Sequence, residues 1–346
     1  MAKIKNFLDK KDIKFTKKRY FIDVLSNMAL GLFASLLIGL ILKTIGEQIA
    51  IYFNENSVST FLINIGTSAM SFMGSAIGVA VAFALKAPPL VLFASLITGG
   101  IGATVGGPAG ALLSSIFGAE FGKLVSKETK VDILITPATT IIFGALSSML
   151  FGTMVNTLMM GIGNIIKSAT NMQPFVMGII VSVVVGLVLT APISSAALCI
   201  MLSLDGLAGG AATAGCCAQM IGFAVMTYKE NKMGGFFAQG IGTSMLQVPN
   251  IIKNPWIIVP PTLAAAITGP ISTVVFQMTN DKTGSGMGTS GLVGQIGTFT
   301  SMGFSVNTLI AVLVTHFIAP AILSIIFYKI LFSLNKIKAG DCKLDL

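Results

Sequence analysis

The chain has 346 residues, of which 54% are hydrophobic and only 10% charged, with a net charge of +9 and a mean hydropathy of +0.88. A soluble domain carries about 25% charged residues, so there is too little charge here to coat a globule of this size. A disordered chain, a disulfide scaffold and an ordinary soluble enzyme are excluded, and the apolar excess has to face lipid.

Eight of the 22 Lys and Arg residues fall within residues 1–19. Others flank apolar runs at Lys123, Lys127 and Lys130, at Lys229 and Lys232, and at Lys329, Lys336, Lys338 and Lys343. This is the positive-inside pattern of cytoplasmic loops beside anionic lipid, and no direct DNA binding is expected from it. Ile4, Phe7 and Leu8 stand at i, i+3 and i+4, which predicts a short amphipathic helix on the inner leaflet. Residues 1–21 thus read as a basic cytoplasmic arm, 22–334 as a transmembrane domain and 335–346 as a cytoplasmic tail.

The first uncharged run, 24–42, is too long for a signal-peptide core and reads as an uncleaved helix. Spans are predicted near 22–45, 61–85, 88–104, 108–126, 132–152, 153–170, 174–203, 206–228, 255–279 and 306–333, about ten in all, with eight to ten admissible by length. The basic segments 123–130 and 229–232 should lie on the same side, so an even number of crossings must separate them. That parity supports 153–170 despite Lys167. Both termini then fall in the cytoplasm of a multi-pass, all-α protein of the cell membrane.

Glycine supplies 38 residues, and it clusters. The stretch 99–110 (Gly99, Gly100, Gly106, Gly107 and Gly110 among its glycines) should break a helix, and 233–248 and 285–304 are apolar but too Gly-rich to span. Broken backbone at membrane depth survives only where protein or a water-filled cavity satisfies it, and it marks transport sites. Close helix packing through small residues at i, i+4 explains the same glycines equally well. Thr190-Ala191-Pro192-Ile193-Ser194 returns 78 residues later as Thr268-Gly269-Pro270-Ile271-Ser272. Each proline is expected inside an apolar helix, where it frees a carbonyl. Counting crossings sets the two motif helices in the same direction.

Enzymatic signatures are absent. Gly286-x-Gly288-x-x-Gly291 follows no strand, there is no Walker loop, and a single histidine argues against a Ser-His-Asp triad or a two-histidine metal site. No catalytic residue, metal or cofactor is expected. Four cysteines without a CxxC give no metal or disulfide framework. Rare polar groups at membrane depth are the candidates for solute binding. These are Glu120, one helical turn from Lys123 in an ion pair, and His316, which is either a ligand or a packed core residue. The neutral amides Gln239 and Gln295 suit hydroxyl-rich solutes or interhelical hydrogen bonds, as do Asn156, Gln219, Gln247 and Asn250. The motif residues Thr190, Pro192, Ser194, Thr268, Pro270 and Ser272 complete the set.

The stretch Gly99–Pro137, with the Thr-x-Pro-Ile-Ser segments, resembles the membrane (EIIC-type) component of sugar phosphotransferase systems, over roughly residues 15–335. The resemblance implies a permease fold with broken helices and re-entrant hairpins, a small polar, sugar-like solute carried by alternating access, and a homodimer. Phosphotransfer in such systems uses a cytoplasmic domain with an active Cys or His. Cys342 reads as incidental to that, so phosphorylation would need separate phosphotransferase or regulatory proteins. The N-terminal third is also similar to a membrane regulator that positively controls a toxin gene, which implies an alternative, indirect role in transcription. Membrane lipid is the expected environment in either case.

Overall fold

The computed structural model describes residues 2–344. Among them the chain is helical, with one isolated antiparallel bridge between Gly206 and Asn280. Contacts divide it into two units, Met1–Leu158 and Met159–Leu346. Among the described residues six helices are long and apolar enough to cross a membrane, seven if one bent pair counts as a span. Large apolar side chains such as Ile133, Leu134, Met149 and Leu150 are exposed, as a surface in contact with lipid requires. The chain is a multi-pass membrane protein.

In the first unit, α1 (Ala2–Lys10) is followed by α2 (Arg19–Phe53). Asn56 then caps α3 (Ser57–Ser71): its Oδ1 accepts the N–H groups of Val58 and Ser59, and Ser59 Oγ accepts the Asn56 N–H. This capping box fixes where the chain turns. α3 folds back on α2, and a Cβ on Gly66 would stand 2.5 Å from the Gly39 carbonyl. After a 48° bend comes α4 (Met73–Ala84), followed by α5 (Pro89–Val125).

α5 doubles back on itself. Gly106 and Gly107 leave helical geometry, with φ +56° and ψ −143° at Gly107, a region open essentially to glycine alone. Ser114 Oγ donates to Thr98 O at 2.8 Å, and a Cβ on Gly110 would meet Gly102 O at 2.2 Å. In a straight helix, residues 98 and 114 would lie about 24 Å apart. The predicted segments 88–104 and 108–126 are therefore two antiparallel arms of one hairpin. The early part of α6 (Asp132–Thr170) packs beside it, where Ser114 Oγ also donates to Gly144 O at 2.9 Å. α6 is continuous, so 132–152 and 153–170 belong to one helix.

Only part of the basic arm behaves as a surface helix. Ile13 and Arg19 are buried, and Lys11 donates to Ser126 O and pairs with Glu128. The arm is thereby fixed beside the basic segment 123–130.

The second unit holds α7 (Pro174–Thr190), α8 (Ser195–Met201), α9 (Gly206–Met226), α10 (Tyr228–Phe237), α11 (Val248–Lys253), α12 (Pro255–Val275), α13 (Val293–Met302) and α14 (Val306–Ser333). α9 is its axle, buried along almost its whole length and packed against α7, α12 and α14. Its sequence, rich in Gly and Ala with a Cys pair, has no large polar face to show to water. Small residues instead let neighbouring backbones come close: a Cβ on Gly215 would stand 1.9 Å from Ser182 O.

The two motif helices run in opposite directions, which corrects the expectation from counting crossings. Ser182 Oγ donates to Ala265 O at 2.8 Å, Thr273 Oγ1 donates to Pro174 O at 2.8 Å, and Gly178 faces Gly269. The partner numbers fall as the others rise, so α7 and α12 are antiparallel. α7 and α9 are parallel, with Ser182 against Gly215 and Gly186 against Gln219. The link 191–205 therefore returns the chain to the level where α9 starts, and its only helix is the seven-residue α8. Pro192 lies in that link and not inside a helix. Pro270 lies near the end of α12, where the winding loosens to π geometry over Ile271–Val275.

The tail forms a strap. Glu230 accepts the N–H groups of Gly340 (2.9 Å) and Cys342 (3.1 Å). Asn231 Nδ2 and Gln247 Nε2 both donate to Cys342 O, at 2.9 and 3.0 Å, and Asn250 Nδ2 donates to Lys343 O at 2.8 Å. The basic segment 229–232 and the tail thus share one end of this unit.

Candidate functional site

The middle of α9 carries Thr213, Cys217 and Gln219, one helical turn or less apart, and each meets a polar group from a broken segment. Thr190 Oγ1, at the end of α7, lies 2.8 Å from Ser244 Oγ and 3.3 Å from Gln219 Oε1. Gln219 Nε2 donates to Thr262 Oγ1 at 2.9 Å. Asn280 Nδ2 donates to Thr213 Oγ1 at 2.7 Å and to Gly294 O at 2.8 Å. Ser195 Oγ donates to Gly286 O at 2.7 Å, and Thr289 Oγ1 donates to Gly240 O. The segments 190–195, 238–247 and 285–295 therefore gather round one stretch of one helix.

Within this belt Gln295 Nε2 faces His316 Nδ1 at 3.1 Å and Cys217 Sγ at 3.3 Å. With the amide nitrogen toward Nδ1, the imidazole accepts there and carries its hydrogen on Nε2. His316 is fully buried and Gln295 is 5% exposed, yet His316 Nε2 and Gln295 Oε1 have no partner. An unsatisfied buried polar atom costs about 1–3 kcal/mol, and two in contacting side chains leave one donor and one acceptor open. A hydroxyl group, which both accepts and donates, answers that pair.

The other candidate residues are placed differently. Gln239 is buried in a closed set: its Nε2 donates to Thr227 Oγ1 and Gly235 O, both at 2.9 Å, and its Oε1 accepts from Gln247 Nε2 at 2.8 Å. Ser194 caps α8 through Ala197 N–H at 3.2 Å. Thr268 bonds back to its own helix at Ala264 O (3.0 Å), and buried Ser272 Oγ has no partner. Because α7 and α12 are antiparallel, Thr268, Pro270 and Ser272 lie at the far end of that pair from Thr190, so the two motifs do not converge.

In the first unit Glu120 Oε1 accepts from Tyr20 Oη at 2.7 Å, and its Oε2 lies 3.2 Å from Lys123 Nζ. Lys123 also donates to Asp12 O and Leu85 O, both at 2.9 Å, and Arg19 pairs with Asp12 at 2.7 Å. This is an internally neutralised cluster. Gly99 packs on Gly78, Gly100 lies by Ser75 Oγ, Gly106 rests against Val155 and Gly110 meets Gly102, while Gly107 turns the chain. Cys342, outside the spans, is buried, and burial pushes its thiol well above the usual range, which opposes thiolate chemistry.

Sequence reasoning named Gln295 and His316 but not their pairing, and it missed Thr213, Ser244, Thr262 and Asn280. The usable signal was the helical spacing of Thr213, Cys217 and Met220 along an otherwise small-residue helix.

No match to a curated protein or to a solved structure was found, and nothing supports a particular closeness to toxin-gene regulators. A family model, Phosphotransferase system, EIIC, matches residues 22–344, which takes in every spanning helix but the first few residues of α2. With that match over more than nine-tenths of its length, this chain belongs to the phosphotransferase system EIIC family of membrane components.

Proposed function

We propose that the chain is a permease for a small hydroxyl-rich, sugar-like solute, bound in the second unit at the polar belt of α9 and released by alternating access. The observation that carries this reading is the open donor and acceptor of His316 and Gln295, fully buried where three broken segments meet. Neutral amides and hydroxyls around them suit a polyol, which offers matching groups and no net charge. Both termini lie on the cytoplasmic side in this reading, a homodimer is the working assembly, and phosphate reaches the solute only through separate phosphotransferase proteins.

The test is binding of a panel of sugars to the purified chain in nanodiscs by calorimetry. One sugar should bind, and Gln295→Leu or His316→Phe should weaken it about tenfold or more, as loss of a buried hydrogen bond requires. Unchanged affinity in both variants, or no sugar bound at all, would remove the proposal.

A further inference from the structure

Away from the polar belt, the first unit holds a cavity of about 570 Å³ between the basic arm and the second limb of the α5 hairpin. Phe15, Tyr20, Phe21, Phe117 and Phe121 form much of its wall. Its size falls in the range of about 300–1,000 Å³ that takes one small ligand. Few polar groups reach it. Glu120 is engaged by Tyr20 and Lys123, and Thr16 Oγ1 accepts the Arg19 N–H at 3.3 Å. Lys17 also lines the cavity, is exposed, and forms no ion pair among the described residues.

An apolar hollow in a membrane protein gains little by taking an acyl chain out of the bilayer, because lipid tails are as apolar as leucine. Selection has to come from the polar end. Here that end carries an unneutralised cation: Lys17 lines the cavity and is exposed, Lys18 beside it in sequence is exposed too, and the one acidic residue of the wall, Glu120, is already paired with Lys123. The geometry points to a site for one anionic glycerophospholipid, with an acyl chain among the phenylalanines and its phosphate at Lys17. Bound there, the lipid joins the arm to α5, and the site stands independently of the solute reading.

The experiment uses the full chain in mild detergent, titrated with phosphatidylglycerol or phosphatidylcholine and read by native mass spectrometry. One phosphatidylglycerol per chain should be retained, about fivefold more tightly than phosphatidylcholine, since a lysine near an anionic surface is worth about 1 kcal/mol. Lys17→Ala/Lys18→Ala should bring the two lipids to parity without moving the unfolding midpoint. In a Trp256→Phe/Phe117→Trp variant, phosphatidylglycerol with brominated chains should quench the new fluorophore more than brominated phosphatidylcholine. Equal retention of both lipids by the unsubstituted chain overturns the site, as does a preference that survives the lysine substitutions. If the tryptophan variant fails to fold, the mass measurement decides alone.

Discussion

Lys123 is among the most deeply buried side chains of the protein, at 1% exposure. It is tolerated because Glu120 supplies the opposite charge and two carbonyls take its remaining donors. Breaking a buried pair from one side leaves an uncompensated charge and costs about 3–5 kcal/mol, whereas replacing both partners by apolar groups can be nearly neutral. Glu120→Leu should therefore lower the unfolding midpoint sharply, and Glu120→Leu/Lys123→Met should recover most of the loss; a double variant as unstable as the single would contradict the pairing. Asp12 gives a pH prediction. The Arg19 hydrogen bond, helped by nearby positive charges, holds its carboxyl down at about 2 against an ordinary 3.8. A lowered value in the folded state means stabilisation that is complete above the ordinary value and disappears as pH falls through the folded one. Protection from hydrogen exchange over residues 11–20, taken relative to the intrinsic exchange rate at each pH, should hold from neutrality to about pH 4 and fall between about 4 and 2. Asp12→Asn should show the reduced protection already at neutral pH.

The α5 hairpin turns at Gly106 and Gly107, and only Gly107 takes a positive φ. No neighbour lies within 4 Å of where a Gly107 Cβ would sit, so Gly107→Ala should act through backbone strain alone, at about 1–3 kcal/mol. The fold-back itself is checked by cross-linking. In a background freed of native cysteines, Thr98→Cys/Ser114→Cys should join through a short bismaleimide, which an unbroken helix, with those positions about 24 Å apart, would not permit. The breaks at 99–110 and the uncharged runs were legible in the sequence, because a helix of lipid-crossing length and a Gly-Gly-Pro interruption are local properties. The direction of α12 was not. It depends on the parity of crossings, and parity fails wherever a short link such as 191–205 returns the chain without a lipid-length helix. Pro192 was misplaced for the same reason: hydropathy continues smoothly through a break that the backbone does not. The Gln295–His316 pair shows the complementary limit, since each residue stands out in its own apolar run and only tertiary packing joins them.

At the scale of the whole molecule, EIIC membership and a helical, lipid-facing build assign the chain to phosphotransferase-type membrane transport. Cys342 in the tail is buried and its thiol pushed up, which disfavours it as a phosphate acceptor, and the proposed function routes phosphate through separate proteins. Proteoliposomes containing this chain alone should therefore exchange unmodified sugar across the bilayer and form no sugar phosphate; phosphorylated product without added proteins would contradict the permease reading. Within the first unit the arm lies with 123–130, and within the second the tail lies with 229–232.

The strap has a practical outcome. Main-chain atoms of Gly340, Cys342, Lys343 and Leu344 are laced to Glu230, Asn231, Gln247 and Asn250, so the last residues are stitched to the segments that follow the axle helix. Cutting the chain after Asn335 would remove hydrogen-bond partners from all of these side chains at once, and from Asn254 as well. A fluorophore placed on Lys338 would report on the surroundings of α10 from outside the membrane-spanning helices.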